Sequence, residues 1–305
     1  MLTATEPLPT NTETAEPTAT YTATPEPTAT ATATPSQTPT KTATPTATHT
    51  PTITPTPWGD EREYGRSTQD IPLTVAQFGA GERVILLVGG IHGGYEWNTI
   101  LLAYDMIDYF TANPKEIPDD VTLYIIPSAN PDGQYTVTFR TGRIGREDIP
   151  VGTDTSWGRF NGNGVDLNRN WDCNWSPEAY WRDRVVSGGS APFSEPETAA
   201  LRDFILEIEP ESVTFWHSAA GAIYASWCGE DVFTSSVTLA EIYAQASGYP
   251  VGGGFSAYPI TGDAGNWLAT QGIPTIAVEF YTHTDTDWSQ NLAGVQALLA
   301  RPLSP

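Results

Sequence analysis

Apolar and polar positions alternate between strand-like and helix-like spacing over most of residues 71–300. Residues 71–78 alternate loosely and end at Gly79-Ala80-Gly81, which predicts a strand and a turn. Residues 84–90 form a continuous apolar run of the kind found in a strand buried on both faces. Residues 98–110 place Ile100, Leu101, Tyr104, Ile107 and Phe110 near helical spacing and stop at Asn113-Pro114. Further strands are predicted at 121–127, 212–217 and 275–281, and further helices at 194–208, 237–246 and 288–300. Ser194 and Glu197 have the spacing of a capping box, and Asn130-Pro131-Asp132-Gly133 reads as a plain turn. Strands alternating with helices predict an α/β fold: a mostly parallel mixed central sheet flanked by helices on both faces.

The first 57 residues depart from this pattern. They are almost entirely Thr, Pro, Ala and Glu in short irregular repeats. Such a segment has nothing with which to bury a core, and its prolines remove backbone donors, so it predicts an extended, disordered linker or stalk. At ~3.1 Å per residue it would span on the order of 150 Å. Residues 58–305 suit one large domain of the α/β kind. No apolar run reaches membrane-spanning length. No basic-then-apolar secretory signal precedes the stalk, and the reading is of a secreted or cell-surface protein whose signal lies outside this sequence.

Charge narrows the range of partners. Residues 58–305 hold 32 acidic and 13 basic side chains, a net of about −19. A surface of that sign repels phosphate backbones, which argues against nucleic acid. The two cysteines, Cys173 and Cys228, form an even pair, and in an exported chain that predicts one disulfide. Closing a loop of that size would stabilise the fold by roughly 4 kcal/mol on the chain-entropy model.

The chemistry gathers at the strand ends. Directly after the run at 84–90 comes Ile91-His92-Gly93-Gly94-Tyr95-Glu96, so a buried strand delivers an imidazole and a carboxylate to one loop. Residues 58–305 contain three histidines, and a second, His217, ends the strand predicted at 212–217. His and Glu from one loop with a distant His make the ligand set of a catalytic zinc site that keeps one position open. Glu279 lies in the apolar strand Ile276-Ala277-Val278-Glu279-Phe280, where a carboxylate is costly without a purpose. In parallel sheets, ligands collect at strand ends, and His92, His217 and Glu279 share that position. Between these strands, Arg159-Phe160-Asn161-Gly162-Asn163-Gly164-Val165-Asp166-Leu167-Asn168-Arg169-Asn170 supplies guanidinium and amide groups suited to a carboxylate.

In combination these motifs resemble the zinc metallocarboxypeptidases of the funnelin type, the family that includes the pancreatic carboxypeptidases. The resemblance runs from about Tyr64 to the C-terminus and includes Ser-Glu-Pro-Glu at 194–197. It implies one zinc ion per chain, held by His92, Glu96 and His217. Glu279 matches the general base, and Arg159, ten positions before Arg169, matches the arginine that stabilises the oxyanion. Asn168 and Arg169 match the pair that grips the free carboxylate of the substrate. Tyr258, nine positions before Trp267, matches the mobile tyrosine that closes over it, with Gly252-Gly253-Gly254 suited to a flexible lid. The pocket that takes the departing side chain is expected near Gly265, with Asp263 either favouring basic residues or capping a turn. His283 is expected at the rim of the site. One departure stands out: the family usually has two residues between the first His and Glu, and this chain has three. Glu96 is expected to reach the metal by an outward bulge of the glycine-rich loop.

The implied activity is a zinc-dependent carboxypeptidase acting on peptides with a free C-terminal carboxylate. Two alternatives are an amidase or endopeptidase on cell-wall peptides and a small-molecule deacylase. A third is an inactive, stalk-borne binding module, although each matched position is filled.

Overall fold

The computed structural model describes residues 59 and 61–303, except 230, 231, 254 and 256; the stalk expected over 1–57 lies outside the described residues. Among the described residues, nine strands and six α-helices follow one another in the order β1 (Glu61–Arg66), β2 (Pro72–Gly79), β3 (Arg83–Val88), α1 (Trp97–Ala112), β4 (Val121–Ile126), α2 (Pro131–Thr138), β5 (Glu178–Trp181), β6 (Arg184–Ser187), α3 (Pro196–Ile208), β7 (Ser212–Ser218), β8 (Ile223–Ala225), α4 (Thr234–Ser247), α5 (Ala264–Thr270), β9 (Thr275–Phe280) and α6 (Trp288–Ala300). Seven strands make one sheet in the order β1-β2-β4-β3-β7-β9-β8, and β5 and β6 form a separate hairpin.

The four central strands β4-β3-β7-β9 are mutually parallel, and β2, β1 and β8 join antiparallel at the edges. Strand periodicity explains how both faces are covered. In β3, Ile85 and Leu87 pack with α1, α4 and α6 through Ile100, Phe110, Leu239 and Leu298. Leu86 and Val88 point the other way, to α3 and α5 through Leu201, Phe204 and Leu268. The same alternation runs through β7, where Trp216 joins the first layer and Val213 and Phe215 the second. His217, in phase with Phe215, therefore projects on the α3/α5 side. In β9, Ile276, Val278 and Phe280 face the first layer, which leaves Glu279 on the same side as His217.

Three local expectations need correction. Asn130-Pro131-Asp132-Gly133 opens helix α2: the Asn130 side chain caps it by accepting from the Gly133 N–H, and Pro131 takes the first helical position. The capping box at Ser194 and Glu197 does not form. Glu195 occupies the cap position, the Ser194 hydroxyl donates to Glu195 (2.8 Å), and Glu197 instead accepts from the Thr68 N–H (2.8 Å). Tertiary partners here displace the local cap. The loop after His92 does not bulge; Gly93–Glu96 winds into a single 3-10 turn.

Candidate metal and substrate cleft

The 3-10 turn answers the spacing question physically. Gly93 has φ +46°, and a Cβ there would come within 2.6 Å of the Gly158 carbonyl; one on Gly94 would meet Val137 at 2.6 Å. Two glycines thus let the loop press onto α2 and the turn that carries Arg159, and the tight winding returns Glu96 towards His92. His217 arrives from β7. Ligand-type atoms of His92, Glu96 and His217 lie within 4.8 Å of one another, and all three side chains are buried. His217 Nδ1 is 3.2 Å from Glu96 Oε2, and the two imidazole centroids are 5.0 Å apart.

The donor set fits a zinc ion: two imidazoles and one carboxylate, with space left towards the cleft. His92 Nδ1 is buried without a hydrogen-bond partner and lies 3.5 Å from Asp166 Oδ1. Burial, followed by the charges of Arg159 and His217, holds His92 well below the usual histidine range, in the neutral state a metal ligand needs. Burial pushes His217 downward too, but the hydrogen bond and charge of Glu96 outweigh it and raise the group overall.

Glu279 stands directly opposite His217 in the β7–β9 ladder and lines the same cleft. Burial pushes its pKa up to about 7; Glu96 adds to the rise, and His217 and Arg159 oppose it. Arg159 is buried and donates from Nε to Asp166 Oδ2 (2.7 Å), with Nη1 3.8 Å from Glu96. Asp166 thereby stands between the arginine and His92. It lies in the Gly-Val-Asp-Leu-Asn-Arg-Asn run but carried no expected role; its being the single acid within the Arg/Asn-rich run 159–170 was the available signal.

Asn168 and Arg169 sit on one short turn after Asp166, which accepts from the Asn168 N–H at 3.1 Å. Arg169 donates to the carbonyls of Tyr180 (3.1 Å) and Asn168 (2.6 Å), which fixes its guanidinium at the cleft wall. Asn168 donates to Asp263 (2.8 Å) and accepts from the Ala264 N–H (2.9 Å). Asp263 also caps α5 through the Asn266 N–H (2.9 Å), so it does cap a turn while still lining the cleft. Gly265 backs onto Ser226, whose hydroxyl would lie 2.3 Å from an added Cβ; Ser226, Asn266 and Asp263 form that part of the wall. Tyr258 lies over Arg169, 5.9 Å from guanidinium carbon to ring centre, and edge-on to Phe255. Of the glycines expected to form a lid, Gly254 lies outside the described residues. The disulfide Cys173–Cys228 is formed and joins the segment after Arg169 to the segment after β8.

All eight expected site residues line a single cleft of about 1130 Å³. Several neighbours escaped the sequence reading. Tyr95 contacts Trp181 edge-on at 4.9 Å and shares a hydrogen bond with His283 Nε2 (3.3 Å). Ser218, next to His217, donates to Asn98 (3.0 Å) and pairs with His283 Nδ1 (3.0 Å). His283 thus braces the rim rather than adding a ligand. Trp181 comes from the β5–β6 hairpin, whose four-residue strands carry little periodic signal.

A family model described as zinc carboxypeptidase matches residues 61–290. Murein peptide amidase A of Escherichia coli (strain K12) is 30% identical over 256 residues, covering 80% of this chain and 90% of that protein. Carboxypeptidase B of Astacus astacus is 34% identical over 142 residues, 44% of this chain and 44% of that protein, so the match spans less than half of the crayfish enzyme. The crystal structure of carboxypeptidase A from Helicoverpa armigera superposes with a TM-score of 0.63 at 21% identity, covering 80% of this chain and 68% of that one. With its sheet, its His-Glu-His cluster and a family match over three-quarters of its length, the chain belongs to the zinc carboxypeptidase family.

Proposed function

We propose that the protein is a zinc-dependent exopeptidase that hydrolyses the last peptide bond of a substrate with a free C-terminal carboxylate. The observation carrying this reading is that Arg169 and Asn168 share one cleft with the His92–Glu96–His217 cluster and Glu279. A zinc ion held by the cluster would supply a Lewis acid and lower the pKa of a coordinated water to about 7. Glu279 takes the proton of the attacking water as its oxygen bonds to the carbonyl carbon. Arg159 donates to the carbonyl oxygen as negative charge builds there, from a site whose desolvation strengthens the interaction. When the C–N bond breaks, Glu279 passes its proton to the leaving amine. Arg169 and Asn168 hold the terminal carboxylate, and Tyr258 closes over it.

A second reading keeps this chemistry and changes the substrate to cell-wall peptides that end in a free carboxylate. The likeness to murein peptide amidase A over 80% of the chain favours it, and Asp263 on the cleft wall would suit a departing residue that bears an amine. A secreted or cell-surface location is consistent with the Cys173–Cys228 bridge. No helix among the described residues is long and apolar enough to cross a membrane.

The test is a peptide library digested with and without chelator and read by mass spectrometry. Single C-terminal residues should be released, chelator should stop the release, and amidation of the terminal carboxylate should abolish it. Undiminished turnover of amidated peptides would overturn the exopeptidase reading.

A further inference from the structure

Apart from the two layers that cover the sheet, a smaller apolar cluster lies at the cleft: Tyr95, Ala179, Trp181 and Val186, with Phe160 and Tyr258 packed against it. Its centre is aromatic. Tyr95 and Trp181 meet edge-on with ring centres 4.9 Å apart, and Phe160 meets Trp181 edge-on at 6.3 Å. The charged head of Arg159 lies against these rings. Its guanidinium carbon is 4.8 Å from the centre of the Trp181 ring and 5.9 Å from that of Tyr95. Tyr95 comes from the 3-10 turn before Glu96, and Trp181 from the end of β5. Two segments far apart in sequence thus bring aromatic rings to one buried cation.

The polar contacts of Arg159 leave its head half-fixed. The residue is 2% exposed, and among the described residues its one hydrogen bond runs from Nε to Asp166 Oδ2 (2.7 Å). Nη1 stands 3.8 Å from Glu96 Oε1, beyond hydrogen-bond reach. Asp166 therefore holds Nε but does not stop the two Nη groups from turning about the Nε–Cζ bond. A second carboxylate at Nη would stop them, and it would consume the donors that an oxyanion needs. An aromatic face restrains the guanidinium plane and favours its charge without accepting its hydrogen bonds. Arg182 and Arg184 also approach the Trp181 ring, at 5.7 and 5.5 Å, but both are exposed. Cation–π attraction grows with desolvation, so the ring acts most on the buried Arg159.

We propose that Trp181, with Tyr95 beside it, is a positioning residue that holds the Arg159 guanidinium in the orientation from which it donates to the oxyanion. The proposal also gives the three-residue spacer after His92 a purpose. Its last residue, Tyr95, brings a ring to the arginine while Glu96 returns to the histidines. The inference rests on the exopeptidase reading for the role of Arg159 and adds the group that orients it. Its effect belongs to the transition state, because charge develops on the carbonyl oxygen only as the carbon is attacked.

The experiment compares the zinc-loaded full chain with Trp181→Phe and Trp181→Leu. The probes are one peptide cleaved in the library digest and the phosphonate that mimics its tetrahedral intermediate. Trp181→Leu should lower kcat by roughly 5- to 30-fold, the range of a desolvated cation–π contact, and leave KM nearly unchanged. Affinity for the phosphonate should fall by a similar factor. Trp181→Phe keeps an aromatic face and should recover most of both. A rise in KM at constant kcat would make Trp181 a wall of the substrate pocket and overturn the assignment. A second measurement needs no turnover. Nitrogen-15 NMR of the Arg159 Nη groups, assigned by their loss in Arg159→Lys, reads rotation about Nε–Cζ in the zinc-loaded and chelated proteins. Rotation should be slow in the wild type and in Trp181→Phe, and faster in Trp181→Leu. Fast rotation in the wild type, or equal rates in Trp181→Leu, would overturn the positioning role. The predicted rates without hydrolysis of any peptide would uphold that role and remove the exopeptidase reading alone.

Discussion

Glu279 lies directly across the β7–β9 ladder from His217, and both side chains project from the same face of the sheet. Register alone fixes this relationship, since residues paired across a ladder share a face. It sets the proposed base beside a proposed metal ligand without help from a loop.

That placement has a consequence for stability. Burial raises Glu279 to about 7 in the folded protein, above its ordinary 4.5. An acid raised on folding binds its proton more tightly in the native state. Its adverse contribution is therefore absent below about pH 4.5, grows as pH rises, and is complete above about pH 7. Glu279→Gln should stabilise the chelated protein above pH 7, by about 3 kcal/mol at most, and have little effect near pH 4.5. Urea denaturation of the two chelated proteins at both pH values measures this. The same variant, loaded with zinc, should keep its metal and lose turnover; loss of metal would make Glu279 a ligand.

Asp166 couples the two halves of the site, with one oxygen 3.5 Å from His92 Nδ1 and the other 2.7 Å from Arg159 Nε. Asp166→Asn keeps the shape and removes the charge. Groups that orient a metal ligand typically affect affinity by about 10- to 100-fold. Zinc affinity, measured by competition with a chromophoric chelator, should weaken by that order. Turnover at saturating zinc should also fall, because Arg159 loses its anchor. Unchanged zinc affinity would confine Asp166 to positioning Arg159.

How far the sequence was legible follows from how each feature is encoded. The long central elements were clear because burial imposes a period on them: the runs behind β3, β7 and β9, and the helical stripe of α1. His92, His217 and Glu279 could be linked because each closes or occupies such a strand. Features set by tertiary contact were not legible. The Ser194–Glu197 pattern has capping-box spacing, but Thr68, Asn161 and Asn163 draw both neighbouring glutamates away from that role. The 3-10 turn that returns Glu96 depends on Gly158 and Val137, which are distant in sequence. Arg182 sits in a hairpin too short to leave a periodic trace, and its contacts with Tyr95 and Trp181 connect it to the site.

The disulfide ties together two walls of the cleft. Cys173 carries more than its sulfur, because its carbonyl accepts from the Gly262 N–H (2.8 Å) while Trp171 donates to the Gly262 carbonyl (3.1 Å). Cys173→Ser with Cys228→Ser should cost about 2–4 kcal/mol of stability, read as a lower denaturation midpoint in urea. Because the bridge borders the substrate wall rather than the metal cluster, KM should rise more than kcat falls. An equal loss of metal content and turnover in the double variant would place its effect on the zinc site instead.

Gly262 offers the most local test of the carboxylate grip. Its φ is +63°, in the left-handed region where a side chain is strained, and an added Cβ would sit 2.1 Å from the Arg169 carbonyl oxygen. Nothing flexible can yield there, since the obstacle is backbone on the turn that presents Asn168 and Arg169. Gly262→Ala should therefore destabilise the protein by roughly 1–3 kcal/mol and displace the Arg169 turn. KM for peptides with a free C-terminal carboxylate should rise, while zinc content stays at one per chain because His92, Glu96 and His217 come from other elements. Steady-state kinetics with metal analysis on the folded fraction checks both. An unchanged KM would mean that Arg169 does not hold the terminal carboxylate.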